Sequence, residues 1–179
     1  MSRLTSGSPA IDFTINDYQG NPISLSDYLG EKILLSFFRG ASCPFCNLRV
    51  HELIKRYPDF EKQGIHIIGL FASTAEEINK YAGKQQPPFA IIPDPALSLY
   101  KKYKVEATQM GMLKAMLQPA KMWSVMTSKF FNMNAIADKP LIPADFLIDE
   151  KSVIQRAYYG NDFGDHVPIE DVLGWRVQK

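Results

Sequence analysis

The chain has 179 residues, enough for one domain with a sizeable core, and its 46% apolar and 22% charged residues are ordinary for a globular protein. A formal net charge of +1 excludes the concentrated basic field that a phosphate backbone requires, so no nucleic-acid partner is expected. No apolar run nears the roughly 18 residues that cross a bilayer, and Met1–Pro9 holds no apolar stretch of signal-peptide length, so the expected location is cytoplasmic, away from membranes.

Ile11–Ile15 alternates apolar and polar residues like a half-buried strand, and Gln19-Gly-Asn-Pro supplies a turn before Ile23–Leu25, which predicts an N-terminal hairpin. Ser26–Gly30 reads as a short capped turn. Lys32–Phe38 is a continuous apolar run of strand length, as in a strand buried on both faces. Gly40–Ser42 break it, and Pro44 stands where a helix can begin without losing a useful donor. Leu48, Leu53, Ile54, Tyr57 and Phe60 keep helical spacing up to Gly64, with Pro58 expected to kink the helix.

Ile65–Phe71 is a second buried strand, with a capping box expected from Ser73 to Glu76 at the next helix. A short strand follows at Phe89–Pro95 and a helix at Ala96–Tyr103. Asp145–Asp149 and Val153–Tyr159 read as two strands joined by a tight turn, and 168–174 as a terminal helix. Strands alternating with helices and closed by an antiparallel pair predict an α/β three-layer domain with a mixed central sheet.

The two cysteines, Cys43 and Cys46, fall between the first buried strand and the Pro-started helix. Residues three apart on a helix share a face, with Cβ atoms about 5–6 Å apart, close to disulfide range. A thiol at a helix start meets unpaired N–H groups and the positive end of the dipole, which favours thiolate. Arg39 can add positive charge to the same turn, and the second thiol can resolve whatever forms on the first. Two other readings stand beside this one: half of a zinc site with His51, which lacks further ligands at matching spacing, or an inert pair in a scaffold used for protein contacts.

Ser36-Phe-Phe-Arg-Gly-Ala-Ser-Cys-Pro-Phe-Cys-Asn-Leu-Arg resembles the active-site segment of the alkyl hydroperoxide reductase/thiol-specific antioxidant (AhpC/TSA) family, the peroxiredoxin-like proteins. Ser8–Ile15, Phe89–Pro95 and Pro143–Asp149 resemble further segments of that family, so the likeness covers about residues 8–106 and 140–174. It implies a thioredoxin-like fold as one domain over 1–179, with a helical insertion at about 108–135. It also implies a cofactor-free redox enzyme acting on a peroxide or a protein disulfide and restored by a thioredoxin or glutathione system.

The departures from the family pattern are informative. In the pattern P-x-x-x-T-x-x-C, Cys46 takes the peroxidatic position, Cys43 replaces the threonine and Arg39 replaces the proline. Pro143 stands where the family places its peroxide-activating arginine, and resembles the cis-proline that faces the thioredoxin C-x-x-C. The resemblance therefore implies disulfide exchange led by an exposed Cys43, with Pro143 cis beside it. The alternative is peroxide reduction with Cys46 peroxidatic and Cys43 resolving.

His166 is expected to be solvated in a polar loop, with Asp162 and Asp165 capping the last helix, and His51 and His66 to be structural. Residues 108–135 carry three lysines, no acidic residue and six of the seven methionines. Met112–Met116 and Trp123–Met126–Phe130 fall on helical faces, expected to pack onto the domain or across a homodimer.

Overall fold

The structure, a computed structural model, describes residues 2–107, 117–131 and 139–175. Strands β1 (Thr14–Asn16) and β2 (Pro22–Ser24) form the N-terminal hairpin, and a 3-10 turn follows at Leu25–Tyr28. The main sheet is built from β3 (Lys32–Phe37), β4 (Ile65–Phe71), β5 (Ala90–Pro93), β6 (Ala144–Ile148) and β7 (Ile154–Tyr159). Their order is β5-β4-β3-β6-β7. The β3/β4 and β4/β5 pairs are parallel, and β3/β6 and β6/β7 antiparallel.

The near-continuous apolar run of β3 follows from its central place. Leu34 and Phe38 face one apolar layer with Val50, Leu53 and Phe60 of the long helix α1 (Pro44–Lys62). Ile33, Leu35 and Phe37 face the other, where Leu99 and Tyr100 of α3 (Ser98–Lys102) and Phe13 of the N-terminal region pack. This is the thioredoxin-like arrangement, two layers of helix and hairpin around a mixed sheet.

Helix α1 starts at Pro44 and runs on through Pro58, ending where Gly64 takes φ 63°. Helix α2 (Ala75–Lys80) is capped one residue later than expected. Thr74 and Glu77 form the box, because the Ser73 hydroxyl accepts instead from Ala41 N–H at 2.9 Å. The last helix, α5 (Ile169–Leu173), has Pro168 at its N-cap rather than an aspartate. Asp162 accepts instead from Gly164 N–H and from the Gln118 amide, and Asp165 from Asn161 N–H and the Tyr158 hydroxyl.

Of the Met-rich segment, Met112–Met116 lies outside the described residues. Helix α4 (Pro119–Met126) is anchored by buried Val125, but Trp123 and Met126 are 72% and 61% exposed. Of the two expected packings, the one onto the domain does not hold for the Trp123–Met126 edge, which faces outward on this chain, and only Phe130 of that set turns back, to His51 at 5.8 Å. His66 is likewise on the solvent side of β4, 3.7 Å from Glu31.

Candidate active site

The turn between β3 and α1 is held from three directions. Phe38 N–H donates to Leu70 O and Ala72 N–H to Arg39 O, which extend the β3/β4 ladder past the strand end. Tyr100, reaching from the opposite layer, donates its buried hydroxyl to Phe38 O at 2.6 Å and is also within 2.8 Å of Leu70 O. From α1, the Asn47 amide donates to Ala41 O (2.7 Å) and Cys43 O (2.9 Å). Loop carbonyls that would otherwise be orphaned are thereby satisfied, and the turn is pinned to the helix it precedes.

Cys43 is the N-cap residue of α1 and Cys46 lies in its first turn, both as free thiols. Both are fully buried, which corrects the expected exposure of Cys43. The cover is the buried Arg39 guanidinium, which lies over the Phe163 ring at 3.7 Å. Its Nη1 is 3.3 Å from Cys43 Sγ, and its Nε donates to Lys139 O.

Burial pushes the Cys46 thiol well above the ordinary cysteine range, and hydrogen bonding and charge at Cys43 push the same way. The Arg39 charge and backbone N–H oppose this and do not overcome it. Cys46 is thus biased toward its thiol form, while the Arg39 cation stands at Cys43.

Pro143 is at the same end of the sheet, one residue before Ala144, the partner of Phe37. Its peptide bond is trans, which corrects the expected cis bond. The chain is extended on both sides: Ile142 N–H donates to Glu106 O, and Pro143 O accepts from Gly160 N–H, both at 2.9 Å. A segment running straight into β6 has no turn for a cis bond to make.

A buried polar cluster lies beneath the start of α1. Asp145, fully enclosed, accepts from Ser36 Oγ, from Val167 N–H at 2.8 Å and from His166 Nδ1 at 3.0 Å. Far from being solvated, the His166 side chain is 4% exposed and packs on Phe38, ring centres 4.9 Å apart. Nδ1 faces a carboxylate that can only accept, so it carries the hydrogen, and Nε2 is enclosed with no partner among the described residues. Arg49 of α1 donates to Val167 O at 2.7 Å. Burial works to raise the Asp145 pKa, but His166, Arg49 and Ser36 outweigh it and hold the carboxyl below its usual range.

Arg39, Cys43 and Cys46 thus come together as the sequence suggests. The Ser36–Asp145–His166–Arg49 cluster does not emerge from it, because Ser36 and Asp145 meet only through the β3/β6 pairing. No three Cys, His, Asp or Glu side chains converge as a metal-binding group among the described residues.

The AhpC/TSA family model matches residues 6–157. The chain is 27% identical over 112 residues to chloroplastic peroxiredoxin Q of Sedum lineare, a match covering 63% of this chain and 60% of that protein. It is 26% identical over 94 residues to peroxiredoxin Bcp of Escherichia coli, covering 52% of this chain and 60% of that one. The chain therefore spans less than two thirds of the length of these curated relatives. Among solved structures, a Cys-to-Ser variant of PrxQ from Xylella fastidiosa superposes with a TM-score of 0.71 at 17% identity, over 97% of this chain and 95% of that one. The thioredoxin domain of a thiol-disulfide oxidoreductase from Bacteroides vulgatus superposes at 0.59 and 20%, over 90% and 94%.

Proposed function

This chain belongs to the AhpC/TSA family, and on that premise we propose that it is a cysteine-based redox enzyme, a thiol-disulfide oxidoreductase working through Cys43 and Cys46. The observation that carries the reading is the Arg39 guanidinium 3.3 Å from Cys43 Sγ, with the neighbouring thiol, Cys46, biased toward its protonated form. An attacking sulfur needs a stabilised thiolate, and a resolving sulfur can wait as the thiol.

In the forward half-reaction, the Cys43 thiolate attacks a disulfide, forms a mixed disulfide and expels one thiolate. Cys46 then attacks the Cys43 sulfur, closing the Cys43–Cys46 bond, and its proton leaves with the second departing thiol. Two equivalents of a cellular thiol, from a thioredoxin or glutathione system, restore the dithiol.

A second reading is favoured by the family match: peroxide reduction with Cys46 as the attacking sulfur. Cys46 thiolate would take one peroxide oxygen to become a sulfenic acid and release an alkoxide, which takes up a proton. Cys43 thiol would then condense with the sulfenic acid, expelling water. Arg39 and the helix-start N–H groups are the donors available to the departing oxygen.

No helix among the described residues is long and apolar enough to cross a membrane. We place the enzyme in the cytoplasm, where reducing conditions suit a cycling pair, and treat 1–179 as one domain. Mass spectrometry after one equivalent of oxidised glutathione, and separately of hydrogen peroxide, tests the core of the proposal. A loss of two hydrogens confined to the Cys43–Cys46 peptide is expected. Absence of that loss with both oxidants defeats it.

A further inference from the structure

The cysteine chemistry makes no use of the apolar edge around α4. There Leu117, Trp123, Met126 and Phe131 are between 51% and 73% exposed. We propose that this edge, with the lysines beside it, is a docking surface for an anionic phospholipid bilayer. The chain lies on the membrane and does not span it, so its lack of a long apolar run is no obstacle. The inference goes beyond the redox reading and uses neither cysteine.

The apolar half is built for a boundary between water and hydrocarbon. Trp123 and Met126, three apart, share one face of the helix, while buried Val125 holds another face to the domain. Side chains exposed by more than half stand out from the surface rather than line a recess, as insertion among headgroups requires. Tryptophan suits that depth, with an apolar body and an N–H that the wet side satisfies. The end of the helix is also prepared for a place poor in water. Thr127 Oγ1 donates to Trp123 O and Ser128 Oγ to Val125 O, both at 2.8 Å, so these carbonyls of the last turn are met within the chain.

The charged half adjoins it. Residues 108–135 carry three lysines and no acidic residue. One of them, Lys129, lines a cleft together with Phe131, Lys80 at the end of α2 and Lys84 of the 3-10 turn Ala82–Gln85. All three lysines are exposed, and no acidic side chain lines that cleft among the described residues. Lys129 Nζ lies 5.3 Å from the centre of the Phe130 ring, a stem along apolar surface carrying its ammonium group at the tip. The carboxylate that meets the start of α4, Asp162, is buried and bonded to the Gln118 amide at 2.7 Å, so it is not presented outward.

Phe131 therefore joins the apolar edge to a group of three cations. Ammonium groups beside protruding apolar side chains complement acyl chains beneath anionic headgroups. A bilayer asks for no shape complementarity, which fits side chains that protrude from a short helix. Neither half suffices alone: the edge is too small to hold the protein on a neutral bilayer, and salt screens the lysines within a Debye length.

The test is co-sedimentation of the full-length reduced protein with sucrose-loaded vesicles. One set holds phosphatidylglycerol and phosphatidylcholine in equal parts, the other phosphatidylcholine alone. Binding to the anionic set should be about tenfold tighter or more. It should weaken about tenfold in the exposed-surface variant Trp123→Ser/Met126→Ser, and by a similar factor in Lys80→Glu/Lys84→Glu. The chain has two tryptophans, so Trp123→Phe leaves Trp175 as the reporter. The blue shift of emission expected when the wild type binds should be absent from that variant. No binding to the anionic vesicles, equal binding to both sets, or binding indifferent to either pair of substitutions overturns the proposal. So does a stable dimer in vesicle-free solution that Trp123→Ser/Met126→Ser splits, which assigns the face to a second copy. Failure of the cysteines to form a disulfide defeats only the redox reading.

Discussion

His166 Nδ1 lies 3.0 Å from Asp145 Oδ2, with the two side chains 4% and 0% exposed, directly beneath the helix that carries Cys43 and Cys46. This contact couples stability to pH. Asp145 is held below its usual range, so its contribution is fully present above the unfolded value of about 3.9 and lost as pH falls through the folded one. Urea unfolding between pH 3 and 7 should therefore show an acid-side decline. In Asp145→Asn the decline should flatten, and stability at pH 7 should drop by about 3 kcal/mol, since Arg49 loses its buried counter-charge. An unchanged pH profile in the variant contradicts this.

Removing the Arg39 charge should slow Cys43. In Arg39→Met, alkylation of Cys43 by iodoacetamide at pH 7 should fall roughly tenfold, because less of the thiol is ionised. Arg39→Lys should recover only part of the rate, since an ammonium keeps the charge but not the planar stack on Phe163. Equal rates in all three proteins would show that the guanidinium does not activate the sulfur.

The attacking sulfur is identified by trapping. Cys46→Ser should accumulate mixed disulfides through Cys43 when exposed to protein disulfides, and Cys43→Ser should accumulate few. Rapid single-turnover peroxide consumption by Cys43→Ser, with a sulfenic acid on Cys46, would instead establish the peroxidase reading.

Gly160 is a packing requirement of the loop that brings His166 inward. A Cβ there would meet Asp165 O at 2.3 Å and Pro143 O at 3.1 Å, both backbone. Gly160→Ala should therefore cost about 1–3 kcal/mol of stability. Thermal unfolding checks this, and a melting temperature equal to wild type would mean that the loop relaxes freely.

What could be read from the residues alone was local chemistry. The apolar run of β3, Pro44 at the helix start and Gly64 at its end each act within a few residues, so the turn bearing the cysteines was legible, with Arg39 in place. Three of the misses are long-range. Ser73 was drawn from its capping box by Ala41, 32 residues away. Cys43 was expected to be exposed, as helix starts commonly are, until Phe163 and Arg39 closed over it. His166 stood in a stretch of Gly, Asn and Asp that signals a solvated loop. Only the pairing of Ser36 with Asp145 creates the buried acceptor that draws it in.

That same pairing bears on the order in which the molecule assembles. The central strand finds one neighbour, β4, through a single helical crossover, but its other neighbour lies 109 residues downstream at Asp145. Contacts of such long sequence separation close late and slowly. During refolding the parallel half of the sheet, with α1 and both cysteines, should therefore gain amide protection before β6 docks. Throughout that interval Arg39 lacks the Phe163 ring that it stacks on, and the turn lacks the Asp145 cluster. Pulsed alkylation during refolding should label Cys43 and Cys46 early and lose them together as β6 becomes protected, so the chain is most vulnerable to oxidation while it is still folding.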